Sequence, residues 1–198
     1  MTRGYAVVAL HNPKTGENVG GAMRAAGVYG ASLVVVSGAR FGRIMQHPTD
    51  TMKAWRQMPV LHLNDPLIGL PYDCTPVAVD LLPDAKPLPD FTHPERAYYI
   101  FGPEDGTLSE PIVSQCVHKI YVPTRRCMNL AATVNVVLYD RLAKRGTASN
   151  RERVARAICA ADVKAPEPDE KIYIGMKGAA AWEARLPMAD AAIVEMSK

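Results

Sequence analysis

Six short runs of aliphatic and β-branched residues punctuate the chain: YAVVAL (5–10), SLVVVS (32–37), PVLHL (59–63), PVAVDLL (76–82), AYYIF (97–101) and HKIYV (118–122). Several are apolar almost without alternation, which is the pattern of strands covered on both faces. Between them, apolar positions recur at helical spacing over about 18–29, 49–58, 109–116 and 129–145. Strands alternating with helices predict an α/β domain built on a parallel sheet flanked by helices. Pro83, Pro87, Pro89 and Pro94, with Asp84 and Asp90, predict a surface connection over 83–96, because prolines interrupt both ladders and helices. Beyond Gly146 the pattern changes. ASNRERVARAICA (148–160) predicts a short basic helix capped near Asn150, DVKAPEPDEK a linker, and the remainder weak strand and then helix signals. The domain boundary is therefore set at 146, with 147–198 as a C-terminal extension.

Composition narrows the class. At 198 residues, 48% hydrophobic and 22% charged, the chain has the make-up of a soluble globular protein with material for one substantial core. A net charge of +3 permits a polyanionic partner without demanding one, since placement of charge matters more than its total. No apolar run approaches the length of a membrane span, and MTRGYAVVAL lacks the long apolar core of a signal peptide, so the expected location is the cytoplasm. Cys74, Cys116, Cys127 and Cys159 form no CxxC pair, and the five histidines form no HxxxH pattern, so neither a metal site nor a disulfide framework is expected. Cys74, Cys116 and Cys159 are read as small buried hydrophobes.

Three segments carry candidate chemistry. HNPKTGENVGGAMRAAGVYGAS (11–32) follows a strand and opens a helix, an arrangement that holds anionic groups on free backbone N–H groups, but its glycines do not fit GxGxxG. Asn18 and Arg24 stand out there beside Gly20, Gly21 and Ala22, whose small size lets a ligand or another backbone come close. In YYIFGPEDGTLSEPIVSQC (98–116) a buried strand runs into Gly102-Pro103-Glu104-Asp105-Gly106, and Ser109 caps a helix with Glu110 in its first turn. A simple βα turn leaves unexplained an acidic Glu104 at the C-terminal end of a buried strand, the edge where open α/β sheets bind ligands. In YVPTRRCMNLAATVNVVLYDRLAKR (121–145), Arg125 and Arg126 precede a helix whose Leu130, Val134, Val137, Leu138 and Leu142 form one apolar face. Tyr139 is assigned to a buried or intersubunit face, and Asp140 with Lys144 to a solvated one.

Together these segments resemble the SPOUT superfamily of RNA methyltransferases, in particular its TrmH/SpoU-type ribose 2′-O-methyltransferases. The first motif, N-P…N-x-G-x-x-x-R, is matched by Asn12, Pro13, Asn18, Gly20 and Arg24. The second, F-G-x-E-x-x-G-L-S, is matched by Phe101 to Ser109 with the glycine one place early. The third, I-P then S-[LM]-N-[VL]-S and a helix ending near Y-E, reads Val122-Pro123, then Cys127-Met128-Asn129-Leu130-Ala131, ending Tyr139-Asp140. Both serines of that motif are replaced, by Cys127 and Ala131, and the preceding loop is shorter than is usual in the family. The likeness spans roughly residues 5–145, with the motifs in order.

The resemblance implies a parallel sheet whose C-terminal segment threads a loop to form a trefoil knot, S-adenosyl-L-methionine as cofactor, RNA as substrate with tRNA favoured over rRNA, and a homodimer whose sites borrow residues from the partner. It implies catalytic roles for Arg24, Asn18, Glu104 and Asn129, and cofactor contacts from Val79, Leu81, Gly102, Val122, Cys127 and Met128. Arg24, as a permanent cation, is given the task of clamping a phosphate and polarising the 2′-hydroxyl rather than taking its proton. RNA phosphates are assigned to Arg125, Arg126, Arg43, Arg141 and Lys144, and more widely to Arg40, Lys53, Arg56, Arg145, Arg151, Arg153 and Arg156, with about half expected to be no more than solvated surface. His47, Trp55 and Tyr72 are candidates for stacking on bases. The alternatives are an rRNA-directed methyltransferase, a non-catalytic RNA-binding member, and a nucleotide-binding α/β enzyme unrelated to RNA.

Overall fold

The computed structural model describes residues 4–40, 56 and 58–145. The chain divides into two units, Met1–Leu142 and Ala143–Lys198, of which the second lies almost wholly outside the described residues. In the first unit the strands are β1 (Tyr5–His11), β2 (Leu33–Ser37), β3 (Val60–Leu63), β4 (Thr75–Val79), β5 (Lys86–Pro87), β6 (Arg96–Phe101) and β7 (His118–Tyr121). They form one sheet of order β3-β2-β1-β6-β4-β7-β5, and every pairing is parallel. Helix α1 is Gly16–Val28 and α2 is Glu110–Val113. A third helix, α3, runs through 130–145.

Both faces of the sheet are covered, which is why the strands read as continuous apolar runs. Ala6, Val8 and Leu10 of β1, with Ala97, Tyr99 and Phe101 of β6, pack on Val19, Ala22, Met23 and Ala26 of α1 and on Leu130, Val134, Val137 and Leu138 of α3. Val7 and Ala9, with Tyr98 and Ile100, face Leu108, Ile112 and Val113 around α2 and the loop side chains Leu67 and Leu70. The helix-period residues predicted for 129–145 are thus the buried stripe of α3, apart from Leu142, which is exposed.

Four sequence expectations change. The run 76–82 ends as a strand at Val79, because Oδ1 of Asp80 accepts the N–H of Leu81 at 2.7 Å and turns the chain. The helix expected over 109–116 is only four residues long, and Cys116 N–H already closes a turn onto Val113 O. The connection 83–96 is not wholly surface: it contains β5, a 3₁₀ turn at Leu88–Asp90, and buried Leu88 and Phe91. Of the cysteines, Cys74 is buried, while Cys116 is half-buried and burial pushes its thiol up to about 11. The helix predicted over 49–58 and the extension 147–198 lie outside the described residues, apart from Arg56 and a buried Met58.

Candidate active-site cleft

Parallel strands deliver their C-terminal ends to one edge, and β6, β4 and β7 are neighbours there. The segments that follow them enclose a cleft lined by Val79, Asp80 and Leu81 from β4, Phe101 to Glu104 and Gly106 from β6, and Tyr121, Val122, Thr124, Cys127, Met128, Leu130 and Thr133 from β7 onward. Its empty volume, counting the open mouth, is about 650 Å³. All six residues assigned to the cofactor from the sequence, namely Val79, Leu81, Gly102, Val122, Cys127 and Met128, are on this wall.

Beside the cleft three of the four residues assigned to catalysis are joined. Asn129 is the N-cap of α3: its Oδ1 accepts from Ala131 N–H at 2.9 Å and Ala132 N–H at 3.3 Å. Its Nδ2 donates to Asn18 Oδ1 at 2.7 Å, and Asn18 Nδ2 donates in turn to Glu104 Oε1. The other carboxylate oxygen of Glu104 accepts the backbone N–H of Lys14 at 2.9 Å. Each amide donates on one side and accepts on the other, so the chain Asn129 to Asn18 to Glu104 has a single direction. Asn18 is held in register by α1, whose N-cap Thr15 accepts Asn18 N–H at 3.3 Å. The loop after β2 joins the cluster: Arg40 N–H donates to Asn12 Oδ1, and Arg40 Nη1 pairs with Asp105 at 2.7 Å. That hydrogen bond holds the Asp105 carboxyl below its usual value.

Arg24 is elsewhere on α1, exposed and not among the residues lining the cleft of its own chain. Arg125 and Arg126 are exposed on the 122–129 segment beside the cleft, where Thr124 Oγ1 donates to Arg126 O at 2.7 Å. Arg56 and Tyr72 are exposed, and Lys144 and Arg145 are half-buried. Arg43, His47, Lys53, Trp55, Arg151, Arg153 and Arg156 lie outside the described residues.

Arg141 is a correction. Expected on RNA, it is 4% exposed and its guanidinium donates to the carbonyls of Tyr5, Pro94 and Glu95 and to the hydroxyl of Tyr99. A planar five-donor cation can satisfy a cage of acceptors no other side chain matches. Next to it, Asp140 is bonded to His93 Nε2 at 2.8 Å, so it is not just part of a solvated face. The residue missed by the sequence reading is Asp80, although an acidic side chain ending a buried apolar run is the signal that singled out Glu104.

No group of three or more His, Cys, Asp or Glu suited to a metal ion occurs among the described residues, and none of the described helices is long and apolar enough to cross a membrane. A family model described as the SpoU rRNA Methylase family matches residues 5–139. Among solved structures, the chain resembles the SpoU methyltransferase AviRb from Streptomyces viridochromogenes (18% identity, 74% of this chain and 62% of that one, TM-score 0.61). It also resembles the TrmH/SpoU tRNA modifying enzyme of A. aeolicus (14% identity, 98% and 90%, TM-score 0.65). A third structure, described as giving insights into the 2-OH methylation of C/U34 on tRNA, is 22% identical over 72% of this chain and 92% of that one, with a TM-score of 0.60. The chain spans about three-fifths of the length of AviRb. At these identities the likeness is one of fold. A search of curated proteins by sequence finds no match.

Proposed function

The chain belongs to the SpoU rRNA methylase family, and from that premise we propose that it transfers the methyl group of S-adenosyl-L-methionine to a ribose 2′-hydroxyl of RNA, with tRNA as the favoured substrate. The observation that carries the reading is the hydrogen-bonded chain of Asn18, Glu104 and Asn129, drawn from positions 86 and 111 residues apart onto the rim of one cleft. One of the related structures is of AviRb in complex with the cofactor AdoMet. Here the walls fit such a group: Val79, Leu81, Val122, Met128 and Leu130 offer aliphatic surface for a purine, and the turn at Gly102 brings backbone close to it.

Bound there, the cofactor supplies an electrophilic methyl on a sulfonium, and this chain's residues bind and orient. Val79, Leu81, Gly102, Val122, Cys127 and Met128 would hold the cofactor. Glu104, with both oxygens committed, ties the loop after β6 to the loop after β1 rather than serving as a base. Arg24 would clamp the adjacent phosphate and polarise the ribose hydroxyl, since a guanidinium stays protonated. Because Arg24 does not line its own cleft, it would act in the cleft of a second copy. The exposed Val28, Tyr139 and Leu142 at 65%, 60% and 55%, with Tyr29 and Tyr139 in edge contact, supply the apolar surface for such a homodimer. Arg125 and Arg126, and Arg40 once released from Asp105, would take RNA phosphates. The knotted passage of α3 and a cytoplasmic setting belong to the same reading.

The test is ribose-methylation mapping by mass spectrometry of tRNA and rRNA incubated with the protein and AdoMet. A 2′-O-methylated nucleotide appearing only with the protein is the expected result; cofactor binding without methylation of any RNA would leave a binding protein. Arg24→Ala is expected to abolish turnover with AdoMet affinity nearly unchanged, and retained turnover would remove Arg24 from the mechanism.

A further inference from the structure

Asp80 follows the last residue of β4 and lines the cleft. Its Oδ1 accepts Leu81 N–H at 2.7 Å, an ordinary local turn. Its Oδ2 does something a turn former need not do: it reaches 28 residues onward to accept Leu108 N–H at 2.7 Å, in the segment after β6. Its own N–H donates to Ile120 O of β7 at 3.0 Å. One residue therefore joins the end of β4 to β7 and to the segment after β6, the three parts that make the cleft. Gly102 is fitted to it, for a Cβ there would lie 2.4 Å from Asp80 Oδ2 and 3.0 Å from its Cγ. Both oxygens are occupied by backbone donors, so the carboxylate works on the shape of the site.

We propose that Asp80 is a positioning residue that pre-forms the cofactor cleft, clamping the wall after β4 to the wall after β6, and that Gly102 is glycine to leave room for its carboxylate. This rests on the cofactor reading above. An Asn at position 80 keeps the size but has only one acceptor oxygen, so either Leu81 N–H or Leu108 N–H is left facing a donor. A loosened wall must be re-ordered at each binding event, which weakens the affinity without touching the transfer step.

The experiment titrates S-adenosylhomocysteine calorimetrically into the full chain and into Asp80→Asn, Asp80→Ala, Gly102→Ala and the Asp80→Ala/Gly102→Ala double variant, each verified as folded by circular dichroism. Asp80→Asn is expected to weaken binding roughly tenfold, the scale of one lost charge-assisted hydrogen bond. Its cofactor KM should rise in step while kcat at saturation stays within about twofold. Gly102→Ala should lower the melting temperature of the parent but lower that of Asp80→Ala little further, because the obstructing carboxylate is gone. Unchanged affinity in Asp80→Asn, or additive losses of melting temperature in the double variant, would overturn the proposal while leaving the cofactor reading intact. No binding by the parent protein would overturn that reading, and this one with it.

Discussion

At Asn129 a single amide meets two demands: its oxygen caps α3 through Ala131 and Ala132, and its nitrogen starts the chain to Asn18 and Glu104. The two demands separate in Asn129→Asp. A carboxylate still caps the helix and suits its N-terminal dipole, but it sets an acceptor against Asn18 Oδ1. Turning the Asn18 amide over only moves the mismatch to Glu104. The expected outcome is a melting temperature within a few degrees of the parent, measured by thermal denaturation, together with loss of methylation. Asn129→Ala loses both and should cost about 1 kcal/mol of stability as well. Arg141 makes the opposite point. Arg141→Met removes the donors to three carbonyls and one of the partners of the Tyr99 hydroxyl, which keeps His93, and is expected to cost on the order of 2–4 kcal/mol in denaturant unfolding. From the sequence Arg141 is one of a run of cations on a helix; what distinguishes it is burial, which depends on Tyr5, Pro94 and Glu95 arriving from elsewhere in the chain. Asn18, Glu104 and Asn129 were singled out by the motifs that carry the family resemblance, and the structure joins the three in one hydrogen-bonded chain. Asp80 also follows the end of a strand, but there the chain turns toward β5 and not into a helix.

At the scale of elements, α1 and α3 meet where Gly21 faces Ala131. A Cβ on Gly21 would come within 2.7 Å of the Ala131 Cβ, so the small residues noted in the sequence serve helix packing there. Gly21→Ala sets two effects against each other. Helix propensity favours alanine by about 1 kcal/mol, while forcing tightly packed elements apart costs roughly 1–3 kcal/mol. The clash is expected to win, lowering the melting temperature, and because Asn18 and Asn129 lie within a turn of the contact, S-adenosylhomocysteine affinity measured by titration should fall too. Cysteine at 127 also makes sense at this scale. Exposed on the cleft wall ahead of the cap, it leaves the capping to Asn129, so the helix start needs no serine hydroxyl. Strand existence was legible from the apolar runs, but strand ends were not: β4 stops where a side chain takes over a backbone donor, which hydropathy does not record.

For the whole molecule, the decisive feature is the order β6-β4-β7 at the centre of one half of the sheet, which sets residues 79–81, 101–106 and 121–133 around one space. Arg24 is outside that space in its own chain, which leads to a prediction about assembly. If sites are shared between two copies, mixing inactive Arg24→Ala with inactive Asn129→Asp protein and allowing subunit exchange should restore about a quarter of the parental activity, since half the dimers then carry one intact site. No recovery after exchange verified by mass spectrometry would place Arg24 in its own subunit's chemistry or in none. The sequence by itself determined the class of the fold and the motifs to which Asn18, Glu104 and Asn129 belong, because periodicity records burial on each element and motif spacing is a property of the linear order. Only the tertiary structure decided which strand ends are adjacent, that Arg141 is walled in, and that Asp80 and Gly102 are matched in size. Those depend on contacts between residues tens of positions apart, and a linear pattern holds no distance between them.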